Sequence, residues 1–121
     1  MRDGIQKYLL KINHNQLTIV HAGNEKIITF SFPVSQLIQF EQIIVVSVEP
    51  EQHHILNENL FGVSYGGKIL WQIEKMEHVS NDSPYMGIAK KNEMLSAYNW
   101  DGFRYLINPE TGKIIDKEFV K

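Results

Sequence analysis

No cysteine occurs among the 121 residues. That removes thiolate nucleophiles, Cys-containing zinc sites and redox pairs, and it fits a reducing compartment such as the cytoplasm. Ala, the best helix former, occurs three times, which leaves little from which to build long helices. No apolar run approaches the roughly 20 residues of a membrane span. The opening Met1-Arg2-Asp3-Gly4 begins a stretch too polar for the apolar segment of a signal peptide. A basic excess is lacking as well: 12 Lys plus Arg stand against 14 Asp plus Glu, a net charge of -2. A protein that binds nucleic acid by neutralising phosphates needs the opposite balance. The expectation is a cytoplasmic single domain, 1–121, with neither nucleic acid nor membrane as a partner.

What is present is a strand-forming alphabet. Ile, Val and Thr supply 26 β-branched residues and the aromatics add 13, and both classes pack well on a pleated surface. Apolar runs of four to seven residues are broken by Gly, Asn, Asp or Pro every eight to twelve residues, the rhythm of an antiparallel meander. The runs predict strands at 8–12, 17–20, 26–32, 43–48, 60–64, 68–73, 85–90, 94–99, 103–107 and 113–116. Gln36 to Phe40 reads instead as one short helical turn. The fold class expected is all-β, with about ten short antiparallel strands.

Three segments echo one another. Ala22-Gly23-Asn24-Glu25-Lys26-Ile27-Ile28, Tyr65-Gly66-Gly67-Lys68-Ile69-Leu70 and Thr111-Gly112-Lys113-Ile114-Ile115 each set Lys-Ile-(Ile or Leu) after a glycine-bearing turn, with a strand upstream of it. Periods of 40 to 45 residues with several strands per period are the mark of propeller blades. The architecture expected is three blade-like units, a half β-propeller, with a twisted β-sandwich as the alternative. Trp71, just after the middle echo, is expected in the core.

The stretch Tyr98-Asn99-Trp100-Asp101-Gly102-Phe103, followed by Asn108-Pro109-Glu110-Thr111-Gly112-Lys113, resembles the repeat of pyrroloquinoline-quinone-type propellers. It differs in having Asn108 where that family has Asp, and Gly66-Gly67 where it has Asp-Gly. The layout from Leu60 to Asp116 also resembles small bacterial immunity proteins encoded beside secreted toxins, some of which are open half-propellers. This second resemblance implies a non-catalytic inhibitor of a cognate toxin, plausibly a nuclease. Three blades cannot close around a channel, so no cofactor is expected and none of the quinone enzymes' activity carries over.

Catalytic motifs are absent from the residues themselves: there is no Gly-x-Ser-x-Gly elbow and no phosphate-binding glycine loop. The pairs Asp82 with Asp101 and Glu74 with Glu77 could act as acid and base, but nothing in the sequence fixes their separation. His53 and His54 are adjacent and would point to opposite faces of a strand, though a loop could reconcile them. His14, His21 and His78 fall in or beside expected turns. The loops Gln52 to Asn59 and Glu77 to Pro84 are the longest without strand character, and recognition residues collect on such loops. An indole at the tip of the Asn99 to Gly102 turn, flanked by Asp101 and Arg104, suits an interface, the alternative being that Trp100 folds back over the blade as packing. Glu58, Asp82 and Asp101 would steer a partner with a basic surface. The candidate partner-binding set is therefore Trp100, Asp101, Arg104, Tyr85, Asp82 and Glu58, with no catalytic or metal residues assigned. Open sheet edges would also permit a homodimer. The competing reading is a small ligand-binding or hydrolase module in which the histidine-bearing loop rims a pocket.

Overall fold

The computed structural model describes residues 7–51, 53–77 and 82–120. Met1 to Gly4, Gln52 and His78, all part of the reading above, lie outside them. Eleven strands and no helix are found among the described residues. They form three antiparallel meanders joined in chain order. The first sheet holds β1 (Leu9–Asn13), β2 (Gln16–His21) and β3 (Asn24–Thr29). The second holds β4 (Val34–Gln39), β5 (Ile44–Val48), β6 (Leu60–Val63) and β7 (Ile69–Gln72). The third holds β8 (Tyr85–Lys91), β9 (Met94–Asn99), β10 (Phe103–Ile107) and β11 (Ile114–Phe119). These are the three blade-like units, and they do not close into a barrel.

The second sheet lies between the other two. Its β5 is buried along its whole length, as a strand covered on both faces must be. Alternation divides its side chains: Ile44, Val46 and Val48 join Leu17, Ile19, Ile28 and Phe30 of the first sheet. Val45 and Leu60 join Leu95, Ala97, Tyr105 and Ile107 of the third. Two cores thus share one sheet.

One segment departs from the sequence reading. Residues 36–39 belong to a strand, β4, with Phe40 just beyond its end, and do not form a helical turn. β4 is the strand of its sheet nearest the third sheet's β8, against which it packs. Its neighbours Leu37 and Ile38 therefore serve the first and second cores in turn. Adjacent apolar residues, both half-buried, lack the alternation that marks a strand with one wet face.

The echoed hairpins occupy the same place in each unit, as β2–β3, β6–β7 and β10–β11. Their turns each hold a glycine at positive φ, Gly23, Gly67 and Gly112. A residue from the preceding sheet's last strand lies against the second and third of these. Lys26 approaches Gly67 and Trp71 approaches Gly112, and both pairs of positions are related by the same 45-residue step. The lysines are not all equivalent: Lys26 corresponds to Trp71, whereas Lys68 corresponds to Lys113. Trp71 is 9% exposed and its Nε1 donates to the carbonyl of Pro109 at 2.8 Å, linking the second sheet to the third.

Candidate partner-binding rim

The long connections gather at one rim of the stack. Backbone hydrogen bonds tie Phe30 N to Asn15 O, Val34 N to His14 O, Glu49 N to Pro33 O and Trp100 N to Pro84 O, all at 2.8–3.0 Å. The opposite rim carries the short turns, including those of the three glycines.

Asparagines hold the long connections in place, as that residue's paired donor and acceptor allow. Asn59 is buried, its Nδ2 donating to the carbonyls of Val48 and Tyr85 at 3.0 Å. Its Oδ1 accepts from Tyr85 N at 2.9 Å. Asn57 Oδ1 accepts from Ser83 N at 2.8 Å, and Asn99 Nδ2 donates to Ser83 O at 2.9 Å. The segment entering β8 is thereby bound to both neighbouring sheets. The sequence reading passed over these residues. Their one signal was Asn at strand boundaries, where its side chain competes for backbone groups.

The turn bearing Trp100 is fixed in the same way. Gly102, at φ 91°, donates to Asn99 O at 3.0 Å, while Asn99 Oδ1 accepts from Asp101 N at 2.9 Å. Asp101 Oδ1 accepts from Phe103 N at 2.9 Å and Oδ2 accepts from the Tyr105 hydroxyl at 2.7 Å. The carboxylate is a structural element of the turn. Trp100 is left 62% exposed at the tip.

Of the six candidate residues, Trp100, Asp101, Asp82, Glu58 and Tyr85 belong to this rim. Tyr85 is 4% exposed, its ring packed edge-on against Tyr105 with centroids 5.4 Å apart. It supports the rim from beneath and offers a partner little surface. Burial pushes both phenols above the ordinary tyrosine range. For Tyr85 the second cause is Tyr105, followed by the carboxylates of Asp101, Glu58 and Glu74. For Tyr105 it is the hydrogen bond to Asp101, which holds the hydroxyl proton. Arg104 lies elsewhere, on the outer face of the third sheet, with Nη1 3.9 Å from Glu118 Oε1. Alternation along β10 separates it from Phe103 and Tyr105, which face the core.

Beside Tyr85 the rim opens into a cleft of about 330 Å³ whose walls include Glu49, Glu51, His53, His54 and Asp82. The two histidines do reach one cleft, because the loop is not a strand: His53 has φ 72°. His54 N donates to Glu51 O at 3.1 Å, and its ring lies 5.6 Å from that of Phe32. Among the described residues no three His, Asp or Glu side chains converge as metal ligands would. Segments 13–16, 30–33, 49–51, 53–59, 73–77, 82–85 and 99–102 contain Glu49, Glu51, Glu58, Glu74, Glu77, Asp82 and Asp101 against one cation, Lys75. The rim is acidic in a chain of nearly balanced charge.

Residues 8–119 match the family described as a domain of unknown function, DUF7957. The chain belongs to this family. No curated protein matches it. Among solved structures, the DUF7957 fold is similar to the crystal structure of the computationally designed Ika8 protein in space group P63, with a TM-score of 0.57 and 15% identity. The likeness covers 93% of the DUF7957 chain and 36% of the designed one. It is a likeness of fold alone, and the chain spans about a third of that protein's length.

Proposed function

We propose that this chain is a non-catalytic binding protein whose acidic rim engages and occludes a protein partner with a basic surface. The observation that carries the reading is the rim itself: seven carboxylates against one Lys, beside an indole held exposed on a hydrogen-bonded turn. A surface on which carboxylates far outnumber cations favours encounter with a cation-rich partner, and a rigid exposed Trp supplies buried contact area at little entropic cost. Of the partner classes with that chemistry, a secreted toxin such as a nuclease fits best, since the layout resembles toxin-immunity proteins. On this reading the protein acts in the cytoplasm of the toxin-producing bacterium.

The test is binding to the product of the adjacent reading frame. A 1:1 complex is expected, with the association rate falling at least tenfold between about 50 and 500 mM salt. Trp100→Ala should weaken it by about 2 kcal/mol or more, and Asp82→Lys with Glu58→Lys should slow association. A rate independent of salt, or full affinity in the Trp100 variant, would remove the rim from the interface.

A second reading, a small ligand-binding or hydrolase module, draws on the cleft walled by His53, His54, Glu49 and Glu51. Metal retained through purification and lost in His53→Ala with His54→Ala would favour it.

A further inference from the structure

From the shared position of the hairpins, β1 corresponds to β5 and β9, the second strands of the other sheets. Those sheets each have one strand more, β4 and β8, on the side away from the hairpin. In the first sheet, no strand among the described residues occupies that position. β9, the equivalent strand of the other terminal sheet, is mostly buried, whereas in β1 Ile12 is 45% exposed. Ile12 pairs with Leu17 and so shares the core-facing side of the sheet.

Strand edges are ordinarily protected by bulges or charges. The edge strands β4, β7, β8 and β11 each have a register irregularity in their pairing, and β3 carries Glu25 and Lys26. β1 pairs with β2 without a break and its sequence, Leu-Leu-Lys-Ile-Asn, has one charge. Every second backbone N–H and C=O of an antiparallel edge strand points away from its partner.

We infer that β1 accepts an extended strand from a partner protein, which completes the first sheet as β4 and β8 complete theirs. The contact between β4 and β8 shows where such a strand runs: hydrogen-bonded to β1 and packed beside β4. Its chemistry follows from that position. Alternate residues are apolar to cover Ile12 and the core beside Leu37, and those between are polar. A second copy pairing through its own β1 suits the edge less well, since pairing centred on the five-residue strand sets Lys11 opposite Lys11 and like charges directly opposite are destabilising. The proposal stands whether or not the acidic rim binds a toxin.

The probe is a synthetic peptide with the sequence of residues 33–40, the segment that fills the corresponding place in the second sheet. Amide hydrogen exchange is followed with the peptide in excess. Exchange of the outward-facing amides of Leu9–Asn13 should slow at least tenfold, with no change at β7 or β11. A peptide with Lys in place of both central apolar residues should have no effect. Ile12→Lys, at an exposed side chain, should abolish the protection without lowering the melting temperature. Equal protection at all edges, or none in β1 at millimolar peptide, overturns the proposal, as does a dimer at micromolar concentration in which these amides are already protected.

Discussion

Tyr105 and Tyr85 show how a buried polar group is made to serve the rim. Tyr105 is fully buried, yet its hydroxyl reaches Asp101 at 2.7 Å, so the turn that presents Trp100 is tied to the core by one charge-assisted hydrogen bond. Both phenols have folded-state values above the ordinary value of about 10. The neutral form is favoured on folding, so this contribution to stability is intact below pH about 10 and is lost as the pH climbs from there toward the raised folded values. Thermal melting between pH 8 and 11 should show a steep alkaline fall. Tyr105→Phe should flatten it while costing about 1–3 kcal/mol at neutral pH, and an unchanged alkaline slope would show that other groups dominate. At this scale the sequence was partly legible. The Asp101-Gly102 pair announced the turn, and the alternation of Phe103 and Tyr105 against Arg104 announced two faces. Neither could reveal that Tyr85 lies beneath the rim, because burial on the first residue of a strand depends on the loop that covers it.

Between elements, the contact that decides most is Trp71 against two glycines. A Cβ at Gly62 would fall within the indole, and one at Gly112 would lie 2.5 Å from Trp71 Cδ2 at a residue with φ 77°. The glycine in the third sheet's turn is thus required twice, by backbone conformation and by the approach of the preceding sheet. Gly112→Ala should destabilise by about 2–4 kcal/mol, combining overpacking with the cost of positive φ. Trp71→Phe should cost less than Trp71→Ala, for which about 3–5 kcal/mol is expected. Chemical denaturation measures all three, and a neutral Gly112→Ala would mean that the sheets can slide apart without penalty. The echo of turn and strand was legible here because glycine turns are specified locally. Its register was not. Lysine was the conspicuous letter, but the 45-residue correspondence runs through positions that meet the next sheet, where Lys26 and Trp71 perform one task with unlike side chains. The strand β4 escaped for a related reason, its two faces serving two cores.

Over the whole molecule, the cores are arranged in series. The second sheet contributes to both, whereas the first and third each contribute to one. The first sheet is also the smallest, with Leu9 and Ile27 each 55% exposed. In a linear stack, stability is a sum of unit and interface contributions, and a terminal unit held through one interface can open without the rest. Native-state hydrogen exchange should therefore find β2 and β3 opening at about 2 kcal/mol or more below the global unfolding free energy. β5, β9 and β10 should exchange only when the whole chain unfolds. Leu17→Ala should lower both free energies together and leave that gap unchanged, whereas Leu95→Ala, in the other core, should narrow it by lowering global stability alone. Exchange from all strands at one common free energy would instead make the stack a single cooperative unit. The shared sheet would then transmit the loss of either core to the other, and no part of the acidic rim could loosen while the remainder stayed folded.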